Sequence, residues 1–86
     1  SVPVFENSIA NSFKILKNSI IFSIKKPSYI GINVYDLNGR LIRRISYGFV
    51  NSGVYEIKFN DLEPKAYLLK VRIGEEVNFI KFIKGG

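Results

Sequence analysis

Apolar and polar residues alternate with a period of two along most of this chain, in short runs separated by turn residues. Phe13 and Ile15 share one face of the first run, and Ile20, Phe22 and Ile24 share one face of the second. Tyr29 to Tyr35 carries Ile30, Ile32 and Val34 in alternation, and Leu41 to Ser46 follows it. Val54 to Asn60 sets Tyr55, Ile57 and Phe59 against Glu56 and Lys58; Ala66 to Ile73 sets Tyr67, Leu69, Val71 and Ile73 against Leu68, Lys70 and Arg72. The last run, Val77 to Lys84, opposes Asn78, Ile80 and Phe82 to Phe79, Lys81 and Ile83. Period-two alternation is the signature of strands with one face buried and one face wet. Seven such runs with no helical period predict an all-β, seven-stranded antiparallel β-sandwich, with a small barrel as the second architecture. Phe22, Ile32, Val34, Ile42, Ile57, Phe59, Leu69, Val71, Ile80 and Phe82 are the expected core.

The turn signals between the runs divide unequally in what they specify. Tyr35-Asp36-Leu37-Asn38-Gly39-Arg40 reads as a tight hairpin, with Asp first, Asn third and Gly fourth in a type I turn closed by a left-handed Gly39. That turn places Val34 opposite Ile42. A two-residue Asn38-Gly39 turn would instead set Val34 against Arg43 and turn a charge inward, so the longer turn is expected. Tyr47 to Gly53, with two glycines, reads as a loop. Residues 1–12 carry no sustained period and read as a linker or lead-in, 13–84 as the sandwich, and 85–86 as a tail.

Length permits one core: at 86 residues, roughly 60 to 65% of the unfolded surface can be buried. No run approaches the ~18 apolar residues of a membrane-spanning helix, nor do the first residues show the basic-then-apolar order of a leader, so no transmembrane segment is expected. The chain has no Cys, His, Met or Trp. Disulfides, thiolate chemistry, the usual transition-metal ligands and the commonest general base are therefore excluded. Glu75 and Glu76 are solvated neighbours in a turn, and nothing supplies an activated nucleophile. The reading is of a non-enzyme with no catalytic residues, no metal and no cofactor. Asp61 and Glu63 are the one pair worth weighing for calcium, and lysines around them make a poor cage.

Thirteen Lys and Arg against seven Asp and Glu give a net charge of +6, which attracts polyanions where the cations cluster. Spread through the runs, they read as solvated outer faces. Arg43 and Arg44 point to opposite faces and cannot both join a patch with Lys58, Lys70 and Arg72, so no nucleic-acid partner is expected. Tyr47 and Phe49, with Tyr29 and Tyr55 nearby, are candidates for stacking a sugar, against the plainer reading that they close an end of the sandwich.

The combination Val34-Tyr35-Asp36, Asn38-Gly39-Arg40, Leu41-Ile42, then a Gly-bearing loop and Tyr55, Phe59-Asn60-Asp61-Leu62, Tyr67-Leu68-Leu69-Lys70-Val71, and a last strand with Lys81 and Lys84 resembles a known family. It is similar to the C-terminal sorting domain of proteins exported by the type IX secretion system and to the related immunoglobulin-like domain of flagellar hook-capping proteins. The likeness runs from about Phe13 to Lys84, and Tyr35, Asp36, Asn38, Gly39 and Arg40 form its most specific part, a structural turn motif. It implies an immunoglobulin-like sandwich at the end of a larger secreted bacterial protein, acting as sorting signal, spacer or cell-surface anchor. The implied location is extracellular or at the cell surface. The implied partners are an upstream domain of the parent protein and the secretion machinery or a surface polysaccharide; a carbohydrate-binding accessory module of an extracellular hydrolase is the alternative. Two positions differ from the family pattern, which has a Pro-Asn-Pro step where this chain has Lys17-Asn18, and a Gly where it has Lys65.

Overall fold

The computed structural model describes residues 11–85. Its strands are β1 (Asn11–Ile15), β2 (Ser19–Ile24), β3 (Ser28–Asp36), β4 (Leu41–Val50), β5 (Gly53–Lys58), β6 (Ala66–Ile73) and β7 (Glu76–Ile83). They form a three-stranded sheet in the order β1-β2-β5 and a four-stranded sheet in the order β4-β3-β6-β7, with every neighbouring pair antiparallel. Because β2 leads to β3, β4 to β5 and β5 to β6 across the gap between sheets, the chain builds the expected immunoglobulin-like sandwich. β1 begins at Asn11, and the rest of the expected lead-in, residues 1–10, lies outside the described residues. Gly85 donates its N–H to the Lys17 carbonyl (2.9 Å), which ties the chain there to the β1–β2 turn.

Alternation determines the core. In β3, Ile30, Ile32, Val34 and Asp36 are buried while the residues between them are not, and β6 buries Tyr67, Leu69, Val71 and Ile73 in the same way. Ile20, Phe22 and Ile24 face them from β2, joined by Ile57, Phe59, Leu62 and Phe82. Ile80 packs against this cluster from a partly buried position. Ile42, placed in the core by the pattern, is 40% exposed.

Two β-bulges in β4 account for that correction and for a second one. At the turn, Gly39 donates to the Asp36 carbonyl (3.0 Å) and Asp36 to the Arg40 carbonyl (2.9 Å), with Gly39 at φ +87°. This is the expected three-residue turn closed by a left-handed glycine. Beyond it Tyr35 pairs with Leu41, but Val34 pairs with Arg43. Ile42 is the extra residue of a bulge and leaves the inner face. The expected Val34–Ile42 pair does not form, although the turn has the expected geometry. The second bulge lies between Ile30–Gly48 and Gly31–Ser46, leaving Tyr47 unpaired, and Gly48 takes φ +92°. β4 therefore continues through Val50 where the two glycines suggested a loop from Tyr47 onward.

Candidate functional site

One end of the sandwich gathers the β3–β4 turn, the β5–β6 crossover and the end of β7. Asp36 closes β3 at 5% exposure, and its carboxylate is wholly engaged. Oδ1 accepts from the Asn38 and Arg40 backbone N–H groups (both 2.9 Å), and Oδ2 accepts from Arg40 Nε (3.3 Å). Asp suits this position because its short side chain reaches backbone N–H groups two and four residues on and its charge strengthens both bonds. Arg40 is held at Nε while its side chain stays 76% exposed, so the rest of its guanidinium projects from a rigid turn. The Arg40 backbone hydrogen bond, chiefly, and then those of Asn38 and the Arg40 side chain hold the Asp36 carboxyl below the usual carboxylate range.

Arg43 occupies the place opposite Val34 without burying its charge. Its guanidinium reaches the β5–β6 crossover and pairs with both oxygens of Asp61, Nη1 to Oδ1 at 2.9 Å. This pairing lowers the Asp61 pKa and raises that of Arg43. Beside it Tyr67, 1% exposed, donates its hydroxyl to the Glu63 carbonyl at 2.8 Å, forming the tyrosine corner of immunoglobulin-like sandwiches at the start of the sixth strand. Burial pushes the Tyr67 hydroxyl pKa up. The sequence pattern places Tyr67 on the apolar side of its run and in the family motif but not in the expected core; the signal for its role here is a Tyr four residues after Glu63, where the chain enters a strand.

The lowered carboxyls give a pH expectation with a definite sign. A carboxylate whose folded pKa lies below its unfolded value stabilises the fold above about pH 4, and that contribution is lost as pH falls through the folded pKa. The melting temperature of the native protein is therefore expected to fall on acidification below about pH 4. Asp36→Asn should melt lower at neutral pH and show a flatter profile, the two curves converging in acid. Parallel curves from neutral pH to acid would exclude Asp36 as a source of the acid sensitivity.

Tyr47 and Phe49, read together as a stacking surface, are separated by the bulge at Gly48. Tyr47 turns toward the other sheet, edge-on to Phe22 (6.4 Å) and Tyr55 (5.9 Å). Phe49 instead lies across from Tyr29 with the rings 4.8 Å apart, both exposed on the outer face of the four-stranded sheet. They line a groove of about 600 Å³ shared with Lys25, Lys26, Glu75 and Glu76. Arg44 lies on that outer face opposite Asn33, whereas Arg43 is turned to Asp61.

This fold, an immunoglobulin-like sandwich with a Tyr-Asp-x-x-Gly-Arg turn clamped by its own aspartate, is that of a small all-β module. Residues 13–85 match the secretion system C-terminal sorting domain, and the chain belongs to that family, the C-terminal sorting domains of type IX secretion cargo. No match to the chain was found among curated proteins. Domains of this family are non-catalytic modules that mark their proteins for the extracellular space or the cell surface through the type IX machinery. Among the described residues no helix is long and apolar enough to cross a membrane.

Proposed function

We propose that this chain is the export signal of a larger protein and that the secretion machinery reads it at the Asp36–Arg40 turn. The observation that carries this reading is the division of labour within the turn. Asp36 is buried and spends its hydrogen-bonding capacity on the turn itself, and the result is a fixed, outward-facing Arg40. A guanidinium held in this way has lost part of its conformational entropy before binding, which favours recognition by a carboxylate or carbonyl cluster on a partner. Spacer and anchor roles need only the folded sandwich and place no demand on Arg40.

A fusion of this chain behind a reporter, expressed in a bacterium with the type IX machinery, tests the proposal. The native tail is expected to carry the reporter out of the cell. Arg40→Ala should leave it in the periplasm while the purified domain melts within about 4 °C of native, since a surface change of this kind costs within about 0.5 kcal/mol. Export of Arg40→Ala at the native level would remove the turn as the recognised element. Periplasmic retention of the native fusion, where an authentic tail is exported, would leave only the spacer and anchor roles.

A further inference from the structure

Tyr29, Gly31 and Asn33 alternate outward along β3, with Ile30, Ile32 and Val34 buried between them. Successive outward positions lie roughly 6.5 to 7 Å apart. Gly31 pairs with Arg72 and Asn33 with Lys70, and the four residues Gly31, Asn33, Lys70 and Arg72 line a depression of about 170 Å³. Gly31 is the reason the depression exists. It is not among the positive-φ glycines, and a Cβ at this position would meet no atom within 4 Å. Neither backbone conformation nor packing requires glycine there, and glycine weakens a strand interior. Its remaining effect is to leave open space beside two cations.

Those cations have no acidic partner among the described residues; the ion pairs there are Arg40–Asp36 and Arg43–Asp61. Lys81, opposite Leu68, and Arg44 add to the same face, and no Asp or Glu occupies an outward position of the four strands. One step along β3 from the depression stands the Tyr29–Phe49 ring pair. Glu75, in the β6–β7 turn, and Glu76, at the start of β7, share the groove of that ring pair and do not line the depression, whose two charged side chains are both cations.

We infer that this face binds an acidic polysaccharide, with one sugar ring on Tyr29 and Phe49 and the carboxylate of a neighbouring sugar in the depression over Gly31. Exposed rings offer an apolar face to a pyranose, Arg72 suits a carboxylate through its planar fork, and Lys70 adds a mobile point charge. Export to the cell surface places the domain among such polymers. The site is separate from the Asp36–Arg40 turn and stands whether or not that turn directs export.

Titration of the purified domain with polygalacturonate at low ionic strength, where surface charges are least screened, provides the test. Arg72→Gln and Gly31→Val should each weaken binding by about tenfold or more, the loss of one charge-assisted contact. Gly31→Val should also leave melting unchanged or raised, because valine suits a strand and meets open space. Tyr29→Ala should weaken binding while leaving its salt dependence intact. Fully methyl-esterified polygalacturonate, which keeps the rings and loses the charge, should bind far more weakly, and poly-glutamate, which keeps the charge and has no sugar ring, should as well. Poly-glutamate binding as tightly as polygalacturonate would replace the polysaccharide with an acidic peptide and overturn the inference. Undetectable binding of polygalacturonate, or native affinity in both Arg72→Gln and Gly31→Val, would overturn it too. Should Gly31→Val fail to fold, Arg72→Gln alone decides.

Discussion

Phe82→Ala is expected to destabilise the domain by about 3 to 5 kcal/mol, the usual cost of deleting a fully enclosed aromatic ring. Phe82 is 0% exposed, pairs with Tyr67 across β6 and β7, and stands 5.0 Å from Phe59. Phe59 follows β5 in the chain and is held by its N–H to the Asn18 carbonyl (2.8 Å). The Phe59–Phe82 contact therefore joins the two sheets, and neighbours fixed from both sides cannot collapse into the cavity. A domain of this length is expected to have about 4 to 13 kcal/mol of total stability, so the substitution would remove a large share of it. Phe79, three positions earlier in β7 but 63% exposed, provides the control: Phe79→Ala should stay within about 0.5 kcal/mol. Denaturant midpoints at unchanged slope measure both. Comparable losses at the two positions would mean that β7 does not present Phe82 inward.

Gly39→Val is expected to cost about 1 to 2 kcal/mol, because a side chain at left-handed φ brings Cβ against the carbonyl. A Cβ at Gly39 meets no other atom within 4 Å, so the cost arises in the backbone alone. Asn38→Ala should cost less, since the third position of a type I turn keeps negative φ and asks for Asn without requiring it. Thermal unfolding of the two variants gives the order. Equal losses would indicate a turn in which both residues need positive φ, contrary to the Gly39–Asp36 hydrogen bond. The order of losses reports on the turn and leaves the register untouched, since the bulge at Ile42 shifts the pairing after the turn has closed.

Local chemistry alone was enough to identify the strands, the turn and the family. Period two marks which side of each run is wet, and in β3 and β6 the buried residues, like the buried apolar residues of β2, are the ones that alternation selects. Asp36, Asn38 and Gly39 act within five residues of one another, so the turn needs no distant partner and can be read directly from the chain. Arg40 was legible as a neighbour of Asp36 for the same reason. Everything that depends on pairing between distant runs was settled only by the tertiary structure. The two bulges of β4 are the two extra residues left when ten residues, Leu41–Val50, lie beside the eight from Ser28 to Tyr35. They send Ile42 outward, give Arg43 to Asp61 and part Tyr47 from Phe49. The Tyr29–Phe49 pair and the cation-lined depression over Gly31 draw on β3, on the far end of its hairpin partner β4, and on β6, which begins only at Ala66. No periodicity along a single run encodes such a face, because its residues become neighbours only when the register of β3 against β4 and β6 is fixed.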